Sequence, residues 1–149
     1  MSKAYQNTIA SFAITLGAFS IFEKAYVSEE LVMKIKLVKE YASRLVREWP
    51  TRSNWEETVQ KVDKRFREWE EKHLPQEDVN PLLITSSVIS ILGDLSINLS
   101  GERRDKVNRL FDLVVDFNNA IEGMSQTSPE IPYRRSVDLA GSFLEYQNR

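Results

Sequence analysis

The sequence lacks cysteine altogether and has a single histidine, His73, among its 149 residues. Without cysteine the chain has no disulfide, no thiolate catalysis, no iron–sulfur cluster and no cysteine-type zinc site. This composition fits a reducing cytoplasm, which is the predicted localisation. The sequence also has no internal repeat, low-complexity run or long linker, so we expect one domain.

An excess of charge of one sign is absent as well. The chain carries 20 basic and 22 acidic residues, a net charge of −2. It is therefore neither a polycation that binds nucleic acid generally nor an acidic disordered tail. Any electrostatic recognition must come from a local patch of charge.

Two segments contain no charged residue, residues 4–22 and residues 79–93. The first is long enough to suggest a membrane span or a signal peptide. It nevertheless includes six polar side chains, and Lys3 is the only basic residue before it. These features favour a buried core helix, and no membrane contact is predicted.

Apolar residues recur at spacings of three and four along most of the chain, as in amphipathic helices. The clearest stripes are Leu31, Ile35, Val38, Ala42, Leu45 and Trp49, and Val107, Leu110, Val114, Phe117 and Ile121. The pattern predicts an all-α fold, a single-domain helical bundle of five long helices plus a short C-terminal helix. The predicted helices cover residues 4–26, 29–49, 54–74, 81–99, 102–122 and 134–147.

Several helix starts carry capping residues. Ser28 precedes Glu29 and Glu30, whose negative charges suit the positive end of a helix dipole. Residues 53–56 have the form of a capping box. Asn80 and Pro81 suit the N-cap and first position of the fourth helix.

His73 suggests two kinds of catalytic site. Glu70 and His73 have the spacing of a di-iron ligand pair, but such sites need a second histidine, which the chain lacks. Arg67 and His73 resemble the arginine-to-histidine motif of the helical HEPN ribonucleases. Because His73 also continues the stripe Val62, Phe66 and Trp69, packing is the favoured interpretation.

Three aspartates are weaker candidates. Asp112 and Asp116 are one turn apart and can share a face, as acid/base or metal-binding carboxylates must. Asp94 interrupts an uncharged helix and would need a partner if it were buried. Solvated or paired side chains explain all three, so no metal or cofactor is predicted.

Basic residues are concentrated in the second helix. Between residues 34 and 52 there are six basic residues and two acidic ones, and a second basic run covers residues 103–109. Phosphate backbones attract such residues without sequence preference. The predicted nucleic-acid contacts are Lys36, Lys39, Arg44, Arg47, Arg103 and Arg104.

In its size and helical character the chain resembles the small subunits of CRISPR interference complexes, which act in antiviral defense. The resemblance implies a non-enzymatic subunit that stacks along a complex and holds a nucleic-acid backbone by electrostatic positioning. It implies other protein subunits and single-stranded DNA or RNA as partners, with self-association as a further option.

Two other functions remain open. One is a HEPN-like ribonuclease or toxin with Arg67 and His73 at a dimer seam. The other is a free-standing protein-interaction module of phage or plasmid origin, in which the first or fourth helix docks onto a partner.

Overall fold

The computed structural model describes residues 3–49, 55–74 and 78–124. They form five α-helices, α1 (Lys3–Ala25), α2 (Glu29–Glu48), α3 (Trp55–His73), α4 (Pro81–Ile97) and α5 (Gly101–Gly123). The predicted all-α bundle is confirmed, and every boundary among these helices lies within two residues of its predicted position. The predicted helix at residues 134–147 lies outside the described residues.

Four of the helices form an antiparallel bundle. The backbone of α2 adjoins α1 and α5, and that of α4 also adjoins α1 and α5, so α1 and α5 lie on one diagonal. The fifth helix, α3, packs outside this square, mainly against α1. One end of the bundle contains Tyr26 and the other contains Trp49, and these residues name the two ends below.

The predicted stripes form the core. In α5 the buried residues are the five members of its stripe, and the stripe of α2 is also buried throughout. Phe117 packs against Phe19 and Phe22 of α1, with ring centroids 5.1 and 5.2 Å apart. These aromatic contacts join the diagonally opposed helices α1 and α5 at the Tyr26 end.

Helix α1 is buried on several sides because it contacts α2, α3 and α4. By length and composition, its segment Thr8–Ala25 is the one helical stretch in the described residues that could cross a membrane. In the bundle, 72% of that segment is buried inside the protein. Its predicted burial is therefore confirmed, and its neighbours are the other helices of this chain.

The helix ends follow the predicted capping chemistry in part. The Asn80 side chain accepts a hydrogen bond from the Leu82 amide at 2.9 Å, and Pro81 occupies the first turn of α4. Ser28 is the N-cap of α2, but its side chain makes no capping hydrogen bond. Gly101 begins α5 with a φ of 59°, a backbone conformation that favours glycine. The predicted capping box at residues 53–56 lies outside the described side chains.

Candidate nucleic-acid interface

The basic residues of α2 point in different directions. Lys36, Arg44 and Arg47 are exposed on the outer face of the helix. Lys39 is only 8% exposed and is paired with Glu23 of α1. Its position toward α1 gives Lys39 a role in joining two helices, so we leave it out of the candidate interface.

Helices α2 and α5 run antiparallel along a seam of polar contacts. At the Tyr26 end, Lys34 pairs with Asp116 at 2.6 Å. Two turns along, the Arg109 guanidinium lies over the Tyr41 ring, 5.5 Å from its centroid. At the Trp49 end, Arg103 lies over the Trp49 ring at 5.8 Å. The seam therefore brings the basic run of α5 beside the second half of α2.

Four basic side chains lie along this part of the seam, and we call them the basic cluster: Arg44, Arg103, Lys106 and Arg109. Burial raises the pKa of the Tyr41 hydroxyl, while Arg109, Arg44 and Lys106 oppose that shift through their positive charge. Three cations from two helices therefore lie close enough to the Tyr41 hydroxyl to influence its pKa. The arginines over Trp49 and Tyr41 are also held by cation–π attraction, which limits their rotamer freedom.

Acidic residues lie between the members of the basic cluster. Glu48 pairs with Arg44 at 3.0 Å, and Glu102 pairs with Lys106 at 3.5 Å. Both pairs join residues one turn apart on the same helix, and their side chains are largely exposed. Exposed pairs of this kind contribute about 0.3–0.5 kcal/mol, so a phosphate can displace the carboxylate at small cost.

Arg104 has a structural position. Its guanidinium donates to the Ser96 carbonyl at 3.0 Å and to the Ile97 carbonyl at 3.3 Å. These are carbonyls at the C-terminal end of α4, where a cation also suits the helix dipole. Arg104 therefore joins α5 to the end of α4, and we leave it out of the candidate interface.

Two members of the basic cluster are absent from the contacts predicted from sequence, Lys106 and Arg109. Helical spacing does not single them out, because residue 109 is about 120° from residue 103 around the helix axis and residue 104 is about 100° from it on the other side. Packing decides between them, since Arg109 lies over Tyr41 of α2 whereas Arg104 donates to carbonyls of α4.

The residues of the ribonuclease hypothesis do not converge within the chain. Arg67 is exposed and pairs with Asp63 at 2.8 Å. Helix α3 continues through His73, so the two side chains remain about 120° apart around its axis. The His73 ring lies 6.4 Å from that of Trp69, and burial, followed by the charge of Lys72, lowers its pKa. A neutral, partly packed ring is the expected state near neutral pH.

The three aspartates lie at the surface. Asp94, Asp112 and Asp116 are all exposed, and Asp116 is the partner of Lys34. Exposure removes the need for a buried partner at Asp94. Among the described residues, no group of three or more metal-ligating side chains is placed to hold a metal ion.

Comparison with protein-family models gave no match for the chain. Comparisons with curated proteins and with solved structures also gave none. Any function must therefore be inferred from the side chains of this protein.

Proposed function

We propose that the chain is a non-catalytic helical subunit of a nucleoprotein assembly that contacts the backbone of single-stranded nucleic acid through the basic cluster. The observation that carries this proposal is the convergence of Arg44, Arg103, Lys106 and Arg109 from two helices onto one exposed seam. Exposed cations arranged along a seam can neutralise successive phosphates without reading the bases.

The aromatic residues of the seam lie beneath two of these arginines and hold them in place. Trp49 is 5% exposed and carries Arg103 on its ring, so it holds the cation and does not present a face for stacking on a base. Tyr41 is half-buried beneath Arg109. Binding through such a site depends on charge, and we expect little preference among base sequences.

The resemblance to small subunits of CRISPR interference complexes extends this proposal to an assembly that acts in antiviral defense in the cytoplasm. In such an assembly, base pairing with a guide would supply specificity. This chain would supply backbone contacts and contacts with neighbouring subunits. The basic cluster, together with Arg47 and Lys36 on the adjoining face of α2, would lie along the strand.

A charge-reversal variant tests the proposal. The triple variant Arg103→Glu, Lys106→Glu and Arg109→Glu should bind a fluorescent 20-nucleotide single-stranded RNA at least about 30-fold more weakly than the unmodified protein at low salt, because three phosphate contacts become repulsive. Fluorescence anisotropy measures the affinity. Circular dichroism establishes that the variant is folded.

Helix α3 offers a matched control. Lys64, Arg65 and Arg67 are also exposed, and reversing all three changes the net charge of the protein by the same amount. This control should retain binding within about threefold. Equal losses in both triple variants would show that net charge alone matters and would contradict the assignment of the seam.

A further inference from the structure

Exposed apolar side chains are concentrated around the first half of α2. Among the described residues, seven large apolar side chains are exposed, and four of them lie between residues 27 and 37. Met33 is 63% exposed and Leu37 is 46% exposed, and one helical turn separates them. They form an apolar patch in the middle of the outer face of α2. The contacts of Lys34 with Asp116 and of Tyr41 with Arg109 place this patch at the level of the half-buried Leu113 of α5.

Opposite charges flank this apolar patch. Toward the Tyr26 end, Glu29 and Glu30 are exposed, and Asp116 of α5 is exposed beside them. Toward the Trp49 end lies the basic cluster. Glu30, Leu37 and Arg44 are spaced seven residues apart, so they follow nearly one line along the helix. Charges of the other sign also lie on this face, with Lys34 and Lys36 at the Tyr26 end and Glu40 and Glu48 at the Trp49 end. The outer face of α2 and α5 therefore has a net negative charge at the Tyr26 end, an apolar patch at Met33 and Leu37, and a net positive charge at the Trp49 end.

A face with this order of charge is complementary to its own copy after rotation by 180°. We infer that two copies of the chain associate through this face, with α2 antiparallel to α2 and the twofold axis close to Leu37. Leu37 then meets Leu37 of the second copy. Glu30 lies opposite Arg44 of the second copy, and the reciprocal pair forms on the other side of the axis, as a twofold interface requires.

The size of the face limits the affinity. A 20-residue helix such as α2 is about 30 Å long, so a contact between two such helices falls at the low end of specific interfaces. We expect a dissociation constant on the order of 10 µM. Since ion pairs contribute to it, high salt should weaken the dimer.

The dimer covers Arg44 and the neighbouring cations of the basic cluster. Self-association and nucleic-acid binding therefore compete for one face, a consequence that rests on the proposed function. Dimerisation itself does not rest on it and is measured without nucleic acid. In the dimer the basic cluster would be inaccessible to RNA, and RNA binding would dissociate the dimer.

Sedimentation velocity of the full chain from about 1 to about 300 µM, roughly tenfold below to thirtyfold above the expected dissociation constant, tests the inference. The unmodified protein should shift from monomer to dimer across this range. Leu37→Asn should remain monomeric. Glu30→Arg and Arg44→Glu should each raise the dissociation constant at least about tenfold, since each turns two attractions into repulsions.

The double variant Glu30→Arg with Arg44→Glu distinguishes specific pairing from general effects. It exchanges the two charges and should restore the dissociation constant to within about threefold of the unmodified protein. Lys64→Glu and Glu71→Lys, both exposed on α3, are matched controls that should leave dimerisation unchanged.

Three results would overturn the inference: a monomer at every concentration, a dimer unaffected by Leu37→Asn, or a double variant no better than the single ones. Leu37→Asn also separates the two proposals because it keeps all four members of the basic cluster. If this monomeric variant binds RNA, the proposed function stands whatever the fate of the dimer. If it fails to bind RNA while the unmodified protein dimerises, the proposed function alone is lost.

Discussion

Phe117→Ala should lower the free energy of unfolding by about 3–5 kcal/mol, the range measured when large aromatic side chains are removed from a packed core. Phe117 is 0% exposed and lies against Phe19 and Phe22 of α1 and against Tyr26, which follows α1, with centroid distances between 5.1 and 5.8 Å. Its removal leaves a cavity between the two diagonal helices, lined by aromatic rings that are held by their own packing and relax into it only in part. Urea denaturation followed by circular dichroism measures the loss.

Ile97→Ala is the matched control for this prediction. Ile97 ends α4 and is 73% exposed, so its truncation should change stability by no more than about 0.5 kcal/mol. A loss below about 1 kcal/mol for Phe117→Ala would contradict the packing of α1 against α5. The arrangement of the four antiparallel helices would then need revision, because the Phe117 contacts join the diagonally opposed helices α1 and α5.

Lys39→Glu should destabilise the protein by about 2–3 kcal/mol. The Lys39 side chain is 10% exposed and pairs with Glu23, which is 56% exposed. The substitution brings two carboxylates together at a largely buried position, and one of them loses most of its hydration. This loss is smaller than that for a fully buried pair because Glu23 remains accessible to water. Urea denaturation at neutral pH measures this loss as well.

Lys36→Glu is the natural comparison, since it lies three residues away on the same helix and its side chain is exposed. It makes the same change of charge and should alter stability by less than about 0.5 kcal/mol. Equal losses for the two variants would show that Lys39 is not buried against α1. The pair of variants thus separates a lysine that joins helices from one that is free to meet a ligand in solution.

The helices could be predicted from sequence because their cause is local. A stripe such as Val107, Leu110, Val114, Phe117 and Ile121 has one period, and only a helix places all of it on one side. Prolines, glycines and capping residues then limited each helix to within two residues. The placement of α3 outside a square of the other four helices was not predictable, because the stripes of several helices would fit either position.

The members of the candidate interface could not all be chosen from the sequence, because exposure and partners are tertiary properties. Arg44 and Arg103 were predicted contacts and belong to the basic cluster. Lys39 and Arg104 looked equivalent to them in sequence, yet one pairs with Glu23 and the other binds carbonyls of α4. A charged side chain at the edge of a helical stripe can turn toward a neighbouring helix. Lys39 does so because α1 packs beside it, and Arg104 does so because the end of α4 lies beside it.

The salt dependence of RNA binding shows whether the basic cluster contacts a nucleic-acid backbone. The affinity of the unmodified protein for a 20-nucleotide single-stranded RNA would be measured by fluorescence anisotropy at a series of salt concentrations. With three to four phosphates bound by the basic cluster, the logarithm of the association constant should fall with the logarithm of the salt concentration at a slope of about −2 to −3. No detectable binding at low salt, or an affinity independent of salt, would contradict a backbone contact through these side chains.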